Sequence, residues 1–171
     1  MTEEHGPIAD EEAAEAPRPV HAMPDESAGF RLAERACWHA LALKADDVVI
    51  MDLRAVSDVC DFFVVASGLA DVQVRAIAKA MRDGLAETGE DPAGVEGESD
   101  GRWVLLDYVD VVIHVLKPDV REYYQLERLW GDAPVLPVGE DHLRSDGFAA
   151  RHPGLVGHHP DPAAEPPNAT E

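Results

Sequence analysis

Residues 102–116 read RWVLLDYVDVVIHVL, and the fold turns on them. Two largely apolar runs, 102–107 and 111–116, the second rich in β-branched residues, flank Tyr108-Val109-Asp110. Such side chains pack well on a pleated surface, and three polar-flanked residues are enough to reverse the chain, so the stretch predicts a tight antiparallel hairpin. Working upstream, 90–101 is rich in turn-forming residues, with Val95-Glu96 as the stub of a further strand. Before it, Val74, Ile77, Ala78, Met81 and Leu85 recur at helical spacing over 71–87, with Arg75, Lys79 and Arg82 opposite and Gly89 just past the end. In front of that helix Asp71 is expected to act as its cap.

Further upstream, 47–53 and 62–66 are two short apolar runs about eight residues apart, close enough to pair as a second antiparallel hairpin. Residues 27–44 place Phe30, Ala33, Cys37 and Leu41 on one stripe, with Arg31, Glu34 and Arg35 mostly off it and Ser27 as the cap. Downstream of the central hairpin, Pro118 opens a last helix over 118–130, in the position where its missing N–H costs nothing. Tyr123, Leu126 and Trp130 are expected to share one of its faces, with Tyr124, Glu127 and Arg128 displaced around it. The order is helix, strand, strand, helix, strand, strand, helix. Hairpins alternating with helices predict an α+β (α/β) domain with a mixed sheet flanked by helices, not a doubly wound parallel sheet.

Composition sets the boundaries. Of 171 residues, 34 are acidic and 14 are Lys or Arg, for a net charge of −20. Residues 1–26 hold eight acids against Arg18 alone, net −7; residues 132–171 hold seven acids, two Arg and seven prolines, net −5. Few large apolar residues and charge of one sign offset little of the entropy of ordering, so both are expected to be disordered tails around one domain at 27–131. The acidity argues against sequence-specific nucleic-acid binding, which draws its affinity from Lys and Arg on phosphates. No apolar run approaches the ~20 residues of a membrane span, and the first residues are too acidic for an export signal, so a cytoplasmic, membrane-free location is expected. Cys37 and Cys60 are too few and too far apart for a disulfide framework and read as small buried residues.

Catalysis finds little support. The segment Ser67-Gly68-Leu69-Ala70-Asp71 is not a glycine-rich phosphate loop, and its acid would repel an anion. Asp107 and Asp110 with His114 are the nearest approach to a metal-dependent nucleotidyltransferase centre, but Asp is common at a hairpin turn for its geometry alone. His114, alone in an apolar strand, reads more readily as a hydrogen-bonded structural residue. His152, His158 and His159 lie in the proline-rich tail without a rigid frame. No cofactor is expected. Aromatic residues offer a stronger lead: Trp103, Tyr108, Tyr123, Tyr124 and Trp130 crowd into 102–130. Neighbours on a helix are about 100° apart, so Tyr123 and Tyr124 cannot both face the core. Beside Arg121 and Glu127, the pair is either an interface anchor or a core boundary with a hydroxyl reaching water.

Taken together, WVLLDYVDVVIHV at 103–115 and REYYQLERLW at 121–130 resemble the ribosomal silencing factor (Iojap-like) family, as do DFFVVASG at 61–68 and Gln73-Val74-x-Ala76-Ile77-Ala78. The resemblance covers about 28–132. It implies a nucleotidyltransferase-like fold without catalytic carboxylates, and a non-enzymatic factor that represses translation when nutrients are scarce. Such a factor binds the fourteenth protein of the large ribosomal subunit and sterically blocks joining of the small one. Carried over residue by residue, it implies a contact set of Trp103, Asp107, Tyr108, Asp110, His114, Arg121, Tyr123, Tyr124 and Glu127. The chain departs from the family pattern at Val109, usually Gly, at Leu116, usually Phe, and at Ala70 and Val72, often Ser and Arg. A metal-dependent enzyme built on Asp107, Asp110 and His114, or a homodimerisation module pairing its own aromatics, remain the alternatives.

Overall fold

A computed structural model describes residues 23–155. Helix α1 (Ala28–Ala42) leads into strands β1 (Asp46–Asp52) and β2 (Phe62–Ser67), followed by helix α2 (Asp71–Ala86). Strands β3 (Gly94–Glu96), β4 (Trp103–Asp107) and β5 (Val111–Leu116) come next. Helices α3 (Pro118–Tyr124) and α4 (Leu126–Leu129), strand β6 (Val135–Pro137) and helices α5 (Glu140–Leu143) and α6 (Asp146–Arg151) complete the described chain. The six strands form one sheet in the order β3-β4-β5-β2-β1-β6. Both expected hairpins, β1–β2 and β4–β5, are antiparallel, and β2 and β5 join them in parallel at the centre. The sheet is therefore mixed, as the alternation of hairpins and helices requires.

Strand periodicity builds two cores. Across the sheet Leu106, Ile113, Val64 and Ile50 stand in register, all fully buried, and face α1 and α2 with Phe30, Cys37, Ile77 and Met81. One residue along each strand the direction reverses. Val65, Met51 and Phe63 point to the opposite side, under Val120 and Leu126 of α3 and α4. Strand β2 is buried on both faces along its whole length, which explains why it reads as a continuous apolar run. The Ser27 Oγ accepts from the Phe30 N–H at 3.2 Å, the expected start of α1. Cys37 and Cys60 are buried free thiols, and burial raises both pKa values.

Three sequence expectations need correction. Asp71 does not cap α2: Ala70 is the N-cap and makes no side-chain bond. Gln73 reaches back instead, its Oε1 accepting from the Leu69 N–H at 2.7 Å, while Asp71 pairs with Lys117 at 3.2 Å. The helix expected over 118–130 is two helices, broken at Gln125, whose φ of 48° is left-handed. Tyr123 consequently faces solvent, 81% exposed, and does not share a buried face with Leu126.

The third correction concerns the C-terminal boundary. Residues 132–155 are structured: β6 pairs with β1, and Leu143 and Phe148 join the α1 side of the core. A fully buried phenylalanine contributes about 1.5–3 kcal/mol. The segment is also pinned by charge. Glu34 of α1, expected off the buried stripe, is wholly buried, and its carboxylate accepts four hydrogen bonds from this segment. Arg151 donates through Nε and Nη2 at 2.8 and 2.6 Å, and the His142 and His152 Nε2 atoms lie at 2.7 and 2.8 Å. Burial alone would raise the Glu34 pKa, but these bonds outweigh it and hold the carboxyl well below the usual range. His152 thus belongs to a structural clasp. Residues 1–22 and 156–171, with His158 and His159, lie outside the described residues.

Candidate functional site: a ring array on the open side of the sheet

The α3–α4 pair covers only part of the sheet face opposite α1 and α2. Over β4 that face is half-open, and Trp103, Leu105 and Asp107 alternate there with the buried Val104 and Leu106. Rings converge on the gap. Tyr123 meets Tyr124 at 5.0 Å between centroids, Tyr124 meets Trp103 at 4.9 Å, and Trp103 meets His114 at 5.8 Å. Phe63 continues the row, 4.6 Å from His114 and 4.9 Å from Trp130. The row runs from the core to solvent: Phe63 and His114 are buried, Trp103 is half-buried, and Tyr124 and Tyr123 are 48% and 81% exposed. Leu129 of α4 is a further exposed apolar side chain, 67% accessible.

Polar bonds hold this surface in shape. The Trp103 indole N–H donates to the His114 Nδ1 at 3.1 Å. An accepting Nδ1 requires the Nε2–H tautomer, and that buried Nε2 finds no acceptor among the described residues. Burial pushes the His114 pKa down to about 4, although Glu127 opposes the shift. A neutral His114 therefore orients Trp103.

Arg121 does the same for the kink. Its Nη1 donates to the Asp47 carbonyl at 2.6 Å and to the Ser67 Oγ at 2.9 Å, and its Nε to Glu127 at 2.8 Å. With a side chain only 11% exposed, Arg121 joins β1, β2 and α4 across the left-handed Gln125. Such backbone is costly for a residue with a Cβ and persists where its surroundings over-determine it.

The residues carried over from the resemblance therefore separate. Trp103, Tyr123 and Tyr124 lie together at the surface, while Glu127 and Arg121 are both half-buried and paired with each other, Arg121 as a brace. Tyr108 and His114 are buried and cannot themselves meet a partner, which corrects their place in the contact set. Tyr108 packs on the α1–α2 side, where burial raises its pKa to about 12.

Asp107 and Asp110 lie at the far end of the hairpin. Asp107 accepts the Val109 N–H at 2.8 Å, and the Asp110 N–H donates to the Tyr108 carbonyl at 2.9 Å across Val109. With φ at 69°, Val109 sits in a γ-turn of the rarer hand, and a β-branched residue is a poor occupant. Asp107 thus serves turn geometry. Among the described residues no group of three or more His, Cys, Asp or Glu could hold a metal ion. Leu129, Asp47 and Ser67 were not singled out from sequence. The first is an ordinary helical leucine in pattern, and the other two meet Arg121 only through the tertiary fold.

Fold and surface define a class first: a small α+β domain with a mixed sheet, one of whose faces ends in an exposed row of rings. Comparison with known proteins supplies the family. The family model described as "Ribosomal silencing factor during starvation" matches residues 25–155, and the chain belongs to that family. It is 45% identical over 92 residues to the ribosomal silencing factor of Bacillus subtilis, covering 54% of this chain and 78% of that protein. The namesake from Chromobacterium violaceum is 40% identical over 98 residues, 57% of this chain and 80% of its own. A crystal structure of a Chromobacterium violaceum protein superposes with a TM-score of 0.60 at 35% identity, covering 61% of this chain and 88% of that one. A Bacillus halodurans structure gives 0.54 at 37% identity, covering 64% and 96%.

Proposed function

We propose that the chain is a non-enzymatic, cytoplasmic repressor of translation that docks on the large ribosomal subunit through its fourteenth protein. Occupying that surface, it stands in the way of the small subunit. The observation that carries the reading is the exposure of Tyr123 and Tyr124 beside Trp103, with Leu129 exposed on α4, on a chain of net charge −20. Exposed tyrosine and tryptophan are the residues interfaces use as anchors, giving large contact area at low entropy cost. Excess acid favours a basic protein surface over RNA phosphates, so charge guides the approach and ring burial holds the complex. Steric exclusion needs no chemistry, and about 800 Å² per partner is sufficient. Membership of the silencing-factor family supports the same reading, and among the described residues no helix is long and apolar enough to cross a membrane.

The contact set on this reading is Trp103, Tyr123, Tyr124 and Leu129, with Asp107 and Asp110 contributing charge from the hairpin end. Arg121 and His114 act beneath it by positioning. Replacing Tyr124 or Trp103 with Ala should weaken binding to large subunits by more than ~1 kcal/mol, and by more than either costs in folding stability. Unchanged binding by both variants contradicts the proposal, and loss of self-association instead would identify the ring surface as a homodimer contact.

A further inference from the structure

The open face of the sheet continues past Trp103 toward β3. Strands β3 and β4 pair in a register that sets Glu96 directly opposite Leu105, while Val95 turns the other way and packs on the α1–α2 core. Directly paired residues share a face, and so do residues two apart on one strand. Glu96, Leu105 and Trp103 therefore project from the face that carries the rings. Together with Gly97 they line a groove of about 300 Å³. Gly97, with φ at 83°, lets the chain pass so close to β4 that a Cβ would lie 1.9 Å from the Trp103 carbonyl oxygen. The Trp103 wall is itself held in place. Its indole N–H donates to His114 at 3.1 Å, and its ring meets Tyr124 at 4.9 Å between centroids. One indole thus belongs to both the ring row and the groove, which makes the two surfaces continuous.

The lining decides the occupant. Trp103 and Leu105 offer half-buried apolar walls, Gly97 offers bare backbone, and Glu96 is the one charged group. Glu96 is exposed and has no ion-pair partner among the described residues. An apolar side chain laid on the indole and Leu105 would cover this carboxylate without pairing it, at a desolvation cost. A long cationic side chain satisfies every wall. Its methylene stem packs on Leu105, the indole face attracts its charge, and its head reaches the carboxylate. We propose that this groove receives one arginine or lysine side chain of the basic protein that covers the ring array, stacked on Trp103 and paired with Glu96. The inference rests on the docking reading above and adds its specificity-determining element. The rings supply burial, and the groove selects a partner that carries a cation next to the surface that covers Trp103. A partner with an acid at that place meets Glu96 as a like charge, a penalty that discriminates between partners.

The test uses the full chain and purified large ribosomal subunits, with binding followed across a range of salt. Four variants are compared with the parent: Glu96→Gln, Glu96→Lys, Tyr124→Ala, and Glu87→Lys as a control of equal charge at the end of α2, on the other side of the sheet. Glu96 is exposed, so its replacement leaves both cores intact, and urea unfolding of each variant checks this. The expected result is a loss of about tenfold in affinity with a shallower salt dependence for Glu96→Gln, about a hundredfold for Glu96→Lys, and a change within about twofold for Glu87→Lys. If Tyr124→Ala weakens binding while Glu96→Gln matches or exceeds the parent, the occupant is apolar or absent; the groove assignment is then overturned and the docking reading stands. Equal losses for Glu96→Lys and Glu87→Lys overturn it as well, because diffuse charge then explains the effect. If the parent itself does not bind large subunits, the docking reading fails, and the inference fails with it.

Discussion

Glu34 offers the sharpest test of how the domain is held together. At pH 7 its carboxylate is ionised, fully buried, and bonded to Arg151, His142 and His152. Glu34→Ala removes the acceptor and leaves the Arg151 guanidinium, with a side chain only 7% exposed, buried without its counter-charge. Breaking such a pair from one side costs about 3–5 kcal/mol, a large part of the roughly 5–15 kcal/mol that holds a typical domain. Arg151→Met alone should cost less, about 2–3 kcal/mol, because two histidine donors remain on Glu34. The double variant Glu34→Met with Arg151→Met should recover part of the loss, since no buried charge is then stranded.

Urea unfolding supplies the free energies, and hydrogen exchange locates the effect, with faster exchange expected over 139–152. The pH dependence follows from the sign of the shift. A depressed folded pKa stabilises above the ordinary value of 4.5, and that stability is lost progressively as pH falls below it. A loss under 1 kcal/mol for Glu34→Ala, or exchange over 139–152 unchanged, would refute the clasp.

Other expectations are independent of it. Gly97 has φ at 83°, and a Cβ there would lie 1.9 Å from the Trp103 carbonyl oxygen, so Gly97→Ala should destabilise by more than about 2 kcal/mol in urea unfolding. Val109→Gly relieves a positive-φ β-branched residue and should raise stability by about 0.5–1 kcal/mol after the entropy of glycine is counted; thermal denaturation reads this directly. His114 has its pKa lowered from 6.5 to about 4, so its neutral form stabilises above 6.5, and on the order of 3 kcal/mol is lost as pH falls between those values. His114→Gln keeps an acceptor for Trp103 without that titration and should flatten stability against pH in this window.

Much of the architecture was readable from local pattern. The two β-rich runs around Tyr108-Val109-Asp110 form a hairpin because period, propensity and turn all point the same way. The 47–53 and 62–66 runs pair for the same reason. Long-range choices left no such trace: the parallel β2–β5 contact joins residues about fifty apart, and no local signal announces it. The break at Gln125 was invisible because REYYQLERL has ordinary helical composition, and Arg121 enforces the kink from across the fold. Residues 132–155 were masked by averaging. Prolines and acids dominate the count, yet Leu136, Leu143 and Phe148 find a core and Arg151 a buried partner. Glu34 misled by type, since an acid in a helix normally belongs to water unless a partner far along the chain claims it. Of the candidate site, sequence identified the rings but not their depth, because burial of His114 and Tyr108 depends on which sheet face the helices cover.

Sedimentation of the chain with separated ribosomal subunits bears most directly on the central claim. The account predicts that the chain travels with the large subunit, not the small one, and that adding it lowers the fraction of joined particles in proportion to occupancy. A chain that stays at the top of the gradient, or one that binds the large subunit while joining proceeds undiminished, would contradict it.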